Sequence, residues 1–389
     1  ERHGDAVKAE EASTNALVAE IHSEDVRELA GRDEIESVSF DAPVFAHQLN
    51  VDPQSRFLAA SRAQQAQSGV QAPSPSSPLA LLRTTLGLPI PSGTPTGSGI
   101  GVAIIDSGIA PSPDFTITAF FDFTNGGVRQ ARPTDRYGHG THIAGLIGSN
   151  GTLSNREFRG VAPAVRLVGL KVLGDTGEGQ TSDVIRALNF VVQYRKSLGV
   201  QIVNLSIGHP IFSPAAEDPL DRAVERATAA GLIVVTSSGN YGINPKTGEP
   251  GYAGVTSPCN APSAICVGAA MTQGSAGRED DVVAPYSSRG PSWYDGFAKP
   301  DLVAPGHRLA SDTHTNSYLY TKLTSSHVEA ANGQPLLMLS GTSMAAAVTS
   351  GVVALVLDAH QRLPGGQPPL TPNLVKSILE YTAVAVHAN

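Results

Sequence analysis

The feature that most constrains this chain is a cadence beginning at Gly99, in which short continuous apolar segments alternate with longer amphipathic ones. Residues 101–105, 166–173, 201–206, 232–236 and 264–269 read as strands, and residues 139–149, 182–192 and 220–230 as helices. In the 182–192 helix, Val184, Ile185, Leu188, Val191 and Val192 mark one face. Strands apolar on every residue and separated by helices belong to a parallel sheet covered on both faces. Residues 343–360 are apolar nearly all round, the pattern of a central buried helix. The expected fold is therefore α/β, a doubly wound parallel sheet with helices on both faces.

Composition agrees and removes other classes. The chain has 389 residues, 41% hydrophobic and only 16% charged, with 40 Gly and 28 Pro. That apolar content excludes a disordered chain. A net charge of −8 lacks the basic stripe of a nucleic-acid binder. Two cysteines, Cys259 and Cys266, cannot staple a disulfide scaffold. No apolar run approaches the ~18 residues of a membrane span.

Ahead of the cadence the chain changes character twice. Residues 1–47 read as a small α/β unit: a strand over 15–22, a helix capped by Ser23 and stopped at Gly31, and a second strand over 35–40. Such a unit is too small for a core of its own and should pack on something else. Residues 48–98 are rich in Gln, Ala, Ser and Pro, a linker composition, with a short helix expected over 79–86. Residues 99–389 then form the main domain. The chain starts at Glu1 without Met or signal peptide, and the helix over 371–383 is followed by no evident terminator. Missing segments are expected at both ends.

Three segments carry chemistry. Gly101-Val-Ala-Ile-Ile-Asp-Ser-Gly108 sets Asp106 at the carboxyl end of an apolar strand, where α/β sheets hold their sites. Tyr137-Gly-His-Gly-Thr-His142 sets His139 at a helix start between two glycines, and Leu339-Ser-Gly-Thr-Ser-Met-Ala345 sets Ser343 at the start of the apolar helix. Singly, these read as a turn Asp, a surface His and a helix cap. Together they supply an orienting acid, a base and a nucleophile, in the chain order Asp, His, Ser that subtilisin uses.

Over about residues 80–385 the chain resembles the subtilisin-like serine proteases, the subtilases. The motifs are Ala103-Ile-Ile-Asp-Ser-Gly-Ile109, Gly138-His-Gly-Thr-His-Ile-Ala-Gly145, Ser238-Gly-Asn240 and Gly341-Thr-Ser-Met-Ala345, with Gly160-Val-Ala-Pro163 and Asn204-Leu-Ser-Ile-Gly208 between them. The resemblance implies a subtilisin-like fold and a secreted serine endopeptidase made as a zymogen. Asp106 would orient the imidazole, His139 act as base and then acid, and Ser343 attack to form an acyl-enzyme. Asn240 would donate its amide to the oxyanion. Peptides would bind by strand addition along Gly177 and Gly179 on one side and Ser206 and Gly208 on the other, with Gly239 near the primary pocket. Polypeptides are the expected substrates. A non-catalytic binding protein on the same fold is the alternative, and the chain is expected to be a monomer.

Residues 1–47 resemble the latter half of a subtilase propeptide, an intramolecular inhibitor that would be cut off after Ala46, near Leu49. The primary pocket, placed around 254–257 and Ser237-Ser-Gly239, holds no carboxylate, so an apolar or broad preference is expected. No cofactor is required for this chemistry. Calcium is common in the family and Asp114 stands where it often places a ligand, but residues 148–160 do not show the familiar calcium loop, and no metal is assigned. No His-Glu-x-x-His string exists, which removes the zinc-protease pattern and leaves His142 to hydrogen-bond behind the site. Cys259 and Cys266 are open between a local disulfide and two core residues. Ala347 replaces a proline usual in the family, and residues 311–335 look like a polar insertion.

Overall fold

The computed structural model describes residues 5–11, 16–47, 82–88 and 93–386. Near the N-terminus, β1 (Ala6–Glu11) and β2 (Ala16–Glu20) form an antiparallel pair, followed by α1 (Val26–Ala30) and β3 (Pro43–Ala46). Two expectations are corrected here. Asp25, not Ser23, is the α1 N-cap. Residues 35–40 are not a strand, and β3 forms instead a few residues later. Most of the 48–98 segment lies outside the described residues, but α2 (Leu82–Thr85) falls within the helix expected there.

The main domain opens with β4 (Gly101–Asp106), β5 (Ile117–Asp122), β6 (Arg129–Gln130), α3 (His139–Gly148) and β7 (Arg166–Lys171). It continues through β8 (Glu178–Gln180), α4 (Thr181–Leu198), β9 (Ile202–Leu205), β10 (Ile207–Pro210), α5 (Pro219–Ala229) and β11 (Ile233–Ser237). After β12 (Thr256–Ser257) come β13 (Ile265–Met271), β14 (Val282–Val283), β15 (Leu302–Pro305) and β16 (Leu309–Ser311). The last elements are α6 (Tyr318–Lys322), β17 (His327–Glu329), β18 (Pro335–Leu339), α7 (Thr342–Gln361) and α8 (Pro372–Thr382).

The large sheet runs β14-β13-β11-β9-β4-β7-β5-β6, with β15 also on β13, and the pairs linking β5, β7, β4, β9, β11, β13 and β15 are all parallel. The two-residue period of a strand sorts its side chains between two cores. Val102 and Ile104 of β4 face α3 and α7, while Ala103 and Ile105 face α4 and α5. Both faces are buried, which is why these strands are apolar without alternation. Helix α7 is long and apolar enough to cross a membrane, contrary to the expectation that no segment would be, but 83% of its apolar window is buried inside the domain.

The chain leaves β4 toward β5 and β7 on one side, then crosses to β9 on the other. The carboxyl end of β4 is thus the point where winding direction switches, and side chains there open into a crevice. Asp106 is its last residue. The 311–335 segment supplies β17 to a small antiparallel sheet, β16-β18-β17, and clamps the turn leading into α3: Tyr318 N–H donates to Arg136 O and Leu319 N–H to Tyr137 O.

Candidate active site

Four elements bring the site residues together. Asp106 ends β4, His139 opens α3, Asn240 follows β11, and Ser343 lies in the first turn of α7. Asp106 and His139 are fully buried, with His139 Nδ1 at 2.8 Å and 2.9 Å from the two carboxylate oxygens. That contact sets the imidazole tautomer, leaving Nε2 as the acceptor.

A set of residues missed at the sequence level holds this pair in place. Asp135 is buried and accepts from Gly138 N–H, Thr141 N–H, Thr141 Oγ1 and Ser107 Oγ. Ser107 Oγ in turn accepts from Gly140 N–H, and Asp106 Oδ1 accepts from Ser107 N–H. Asp135 therefore plugs the open N–H groups at the start of α3, where a carboxylate also meets the helix dipole favourably. Burial pushes its carboxyl above the ordinary range, against the opposing pull of those hydrogen bonds. The signal was an Asp four residues ahead of His139. Gly138 closes the turn at φ 102°, and a Cβ there would collide with Ser317.

Ser343 Oγ donates to Ser206 O at 2.8 Å rather than to His139, and His139 Nε2 is buried with no hydrogen-bond partner among the described residues. Asn240 is oriented through its oxygen: Oδ1 accepts from Thr342 N–H and Thr342 Oγ1, which fixes Nδ2 toward the crevice. Behind Ser343, Ser350 Oγ donates to Asn204 Oδ1 and Asn204 Nδ2 to Ser206 Oγ, tying α7 to β9.

The crevice is filled by the chain itself. Strand β3 lies antiparallel between β8 and β10, pairing Val44 with Gly179 and Phe45 with Gly208. His47 continues the strand: its N–H donates to Ser206 O at 3.1 Å. Its carbonyl oxygen accepts from Asn240 Nδ2 at 2.9 Å and from Ser343 N–H at 3.3 Å. The imidazole of His47 is buried, with Nδ1 2.8 Å from Ser237 Oγ. Asp41 anchors the strand upstream by accepting from Ser182 N–H and Ser182 Oγ at the start of α4, a helix whose own N-cap, Gln180, makes no side-chain cap bond.

Of the residues expected along the substrate path, Gly179, Ser206 and Gly208 meet this strand directly. Gly177 instead sits in the turn before β8, against the Tyr137 ring. Gly239 donates its N–H to Thr342 Oγ1 and faces Thr256. His142 lies behind the site, its Nε2 3.1 Å and 3.0 Å from the carbonyls of Leu309 and Leu337. Burial, with His139 nearby, pushes its pKa down to about 3. Cys259 and Cys266 are joined in a disulfide beside β12, with Cα atoms 4.9 Å apart.

Asp114 is buried against a second buried carboxyl group, that of Asp312. Its Oδ1 accepts from Leu153 N–H at 3.0 Å, and its carboxyl group hydrogen-bonds that of Asp312, which burial and this contact push well above the ordinary carboxyl range. Among the described residues, the cluster close enough to share an ion is Asp5, His22 and Asp25, far back in the N-terminal hairpin region.

An orienting carboxylate, a histidine with a free Nε2, a serine at a helix N-terminus and two N–H donors converging on one carbonyl oxygen match the serine hydrolases of Asp…His…Ser order. The family model described as the subtilase family matches residues 97–389, and the chain belongs to that family. It is 38% identical over 294 residues to "Serine protease AprX" of Bacillus subtilis, covering 74% of this chain and 62% of that protein. It is 33% identical over 262 residues to "Subtilisin Savinase" of Lederbergia lenta, covering 67% of this chain and 77% of that protein. Among solved structures it resembles "Sphericase", with a TM-score of 0.60, 27% identity, and coverage of 78% of this chain and 88% of that one. The chain spans 62% of the length of AprX and 54% of the M-protease of Shouchella clausii.

Proposed function

We propose that the protein is a secreted serine endopeptidase made as a zymogen, with residues 99–389 as catalytic domain and residues 1–47 as an inhibitory propeptide. The observation that carries this reading is the His47 carbonyl. It receives both Asn240 Nδ2 and Ser343 N–H while its strand adds to both walls of the crevice. A peptide carbonyl held by those two donors is polarised for attack, and the same donors tighten on the oxyanion that attack creates.

In that reading Ser343 Oγ leaves Ser206 O, gives its proton to His139 Nε2 and adds to the carbonyl carbon. Asp106 supports the imidazolium so formed. His139 then protonates the departing amine, and water enters by the reverse path to release the acid. The disulfide supports an oxidising, extracellular setting.

Digestion of an unfolded protein such as reduced casein tests this. Wild-type protein should degrade it, and Ser343→Ala and His139→Ala should each lower the rate by at least about a thousandfold. Equal rates in wild type and Ser343→Ala would overturn the proposal.

A further inference from the structure

We propose that the bond this active site cuts in its own chain is His47–Gln48, and that Ser237 makes the primary pocket selective for histidine on the acyl side of the scissile bond. The inference rests on the endopeptidase reading and goes beyond it in naming the bond and the preferred substrate.

Position along the crevice argues first. Among the described residues, one carbonyl of the bound strand meets both oxyanion donors, and it is that of His47. The flanking bonds are the ladder of an acyl-side substrate strand: His47 N–H to Ser206 O, Ala46 paired with Ile207, Phe45 with Gly208 and Val44 with Gly179. Alternation follows. Val44 is fully buried in the core of β4, β7 and α4, whereas Phe45 is 41% exposed. Cleavage would thus form an ester between Ser343 Oγ and the His47 carbonyl carbon and break its bond to the Gln48 nitrogen. The serine proton passes through His139 to that nitrogen, and water then returns Ser343 and leaves His47 as a free carboxylate.

Pocket chemistry argues second. The His47 side chain is 6% exposed, and its polar contact is the fully buried Ser237 hydroxyl at the end of β11. Gly208 gives the ring room, since a Cβ there would lie 2.8 Å from His47 Cε1. Thr256 closes the far side, against both Gly208 and Gly239. A hydroxyl in a pocket of this size suits a compact, neutral, hydrogen-bonding ring. An aliphatic side chain of similar volume would leave Ser237 Oγ without this partner, and buried polar groups left unpaired are what give polar pockets their selectivity. The proposal stands in place of the apolar or broad preference expected from the sequence.

The ring must enter uncharged. His139 and His209 are the titratable groups set against it, and burial with these two neighbours pushes the His47 pKa down to about 3. A free histidine peptide carries a proton below about pH 6.5, so its binding should weaken as pH falls further.

The test begins with the full chain incubated at pH 8, with products read by mass and N-terminal sequencing. Wild type should yield a new N-terminus at Gln48, and Ser343→Ala should stay intact. Ser343-dependent cleavage at another bond overturns the assignment and spares the endopeptidase reading. Absence of Ser343-dependent cleavage of both the chain and casein overturns both. The processed enzyme is then given fluorogenic peptides carrying Val-Phe-Ala-His or Val-Phe-Ala-Leu before the scissile bond. The His peptide should be favoured about tenfold in kcat/KM at pH 8, and Ser237→Ala should erase most of that ratio. The ratio in wild type should fall roughly tenfold per pH unit below about 6.5. A ratio unchanged by Ser237→Ala, or flat between pH 7.5 and 5.5, would overturn the pocket assignment.

Discussion

Asn240 shows how a single side chain is committed before any substrate arrives. Its Oδ1 is tied to Thr342 N–H and Thr342 Oγ1, so the amide cannot flip and Nδ2 faces the crevice. A donor held ready costs no reorganisation as charge develops. Asn240→Leu should therefore lower kcat about a hundred- to a thousandfold with KM little changed, read in steady-state peptide hydrolysis; a fall confined to KM would contradict the role. Asp106, His139, Asn240 and Ser343 were legible in the sequence because each sits in a short motif at an element end. Asp135 and Ser107 were not, since a turn Asp and a turn Ser look alike whether they face water or plug the first N–H groups of α3. His47 was invisible as a residue of interest: its meaning comes from Ser206, Ser237, Asn240 and Ser343, distant in sequence.

At the scale of elements, sheet and helices were readable where burial on both faces imposes uniform apolarity, as in β4 and α7. The N-terminal unit was harder. Residues 35–40 carry alternating apolar residues but find no ladder, and Val38 and Phe40 stay 41% and 71% exposed. Strand β3 has little pattern of its own and is a strand because β8 and β10 pair with it. Helix α4 likewise takes its cap from outside. Asp41→Ala should weaken the tail's hold by about 1 kcal/mol, roughly the worth of an N-cap, and so shorten the lag before activity appears in the full chain. An unchanged lag would show that the cap does not hold the tail. Helix α3 carries a pH signature through His142. Its folded pKa lies below the unfolded value, so it contributes stability that is complete above about pH 6.5 and lost as pH falls toward 3. The stability advantage of wild type over His142→Gln should shrink by about 1 kcal/mol between pH 7.5 and 5.5 in chemical denaturation. An advantage constant with pH would mean that His142 titrates normally.

Across the whole molecule, the winding of the sheet decides where chemistry can occur. Because the chain switches sides at β4, the carboxyl ends of β4, β9 and β11 and the starts of α3 and α7 open on one crevice. In the proposed reading enzyme and inhibitor are one chain, the β3 strand lying between β8 and β10. That Ser343 is the nucleophile of this crevice is the central proposal. A fluorophosphonate, which reacts with an activated serine, tests it most directly in protein whose tail has been processed. Peptide mapping should find the phosphonate on Ser343, with activity lost in proportion to labelling and no adduct on His139→Ala. Peptidase activity that survives complete modification of Ser343, or persists in Ser343→Ala, would contradict the account.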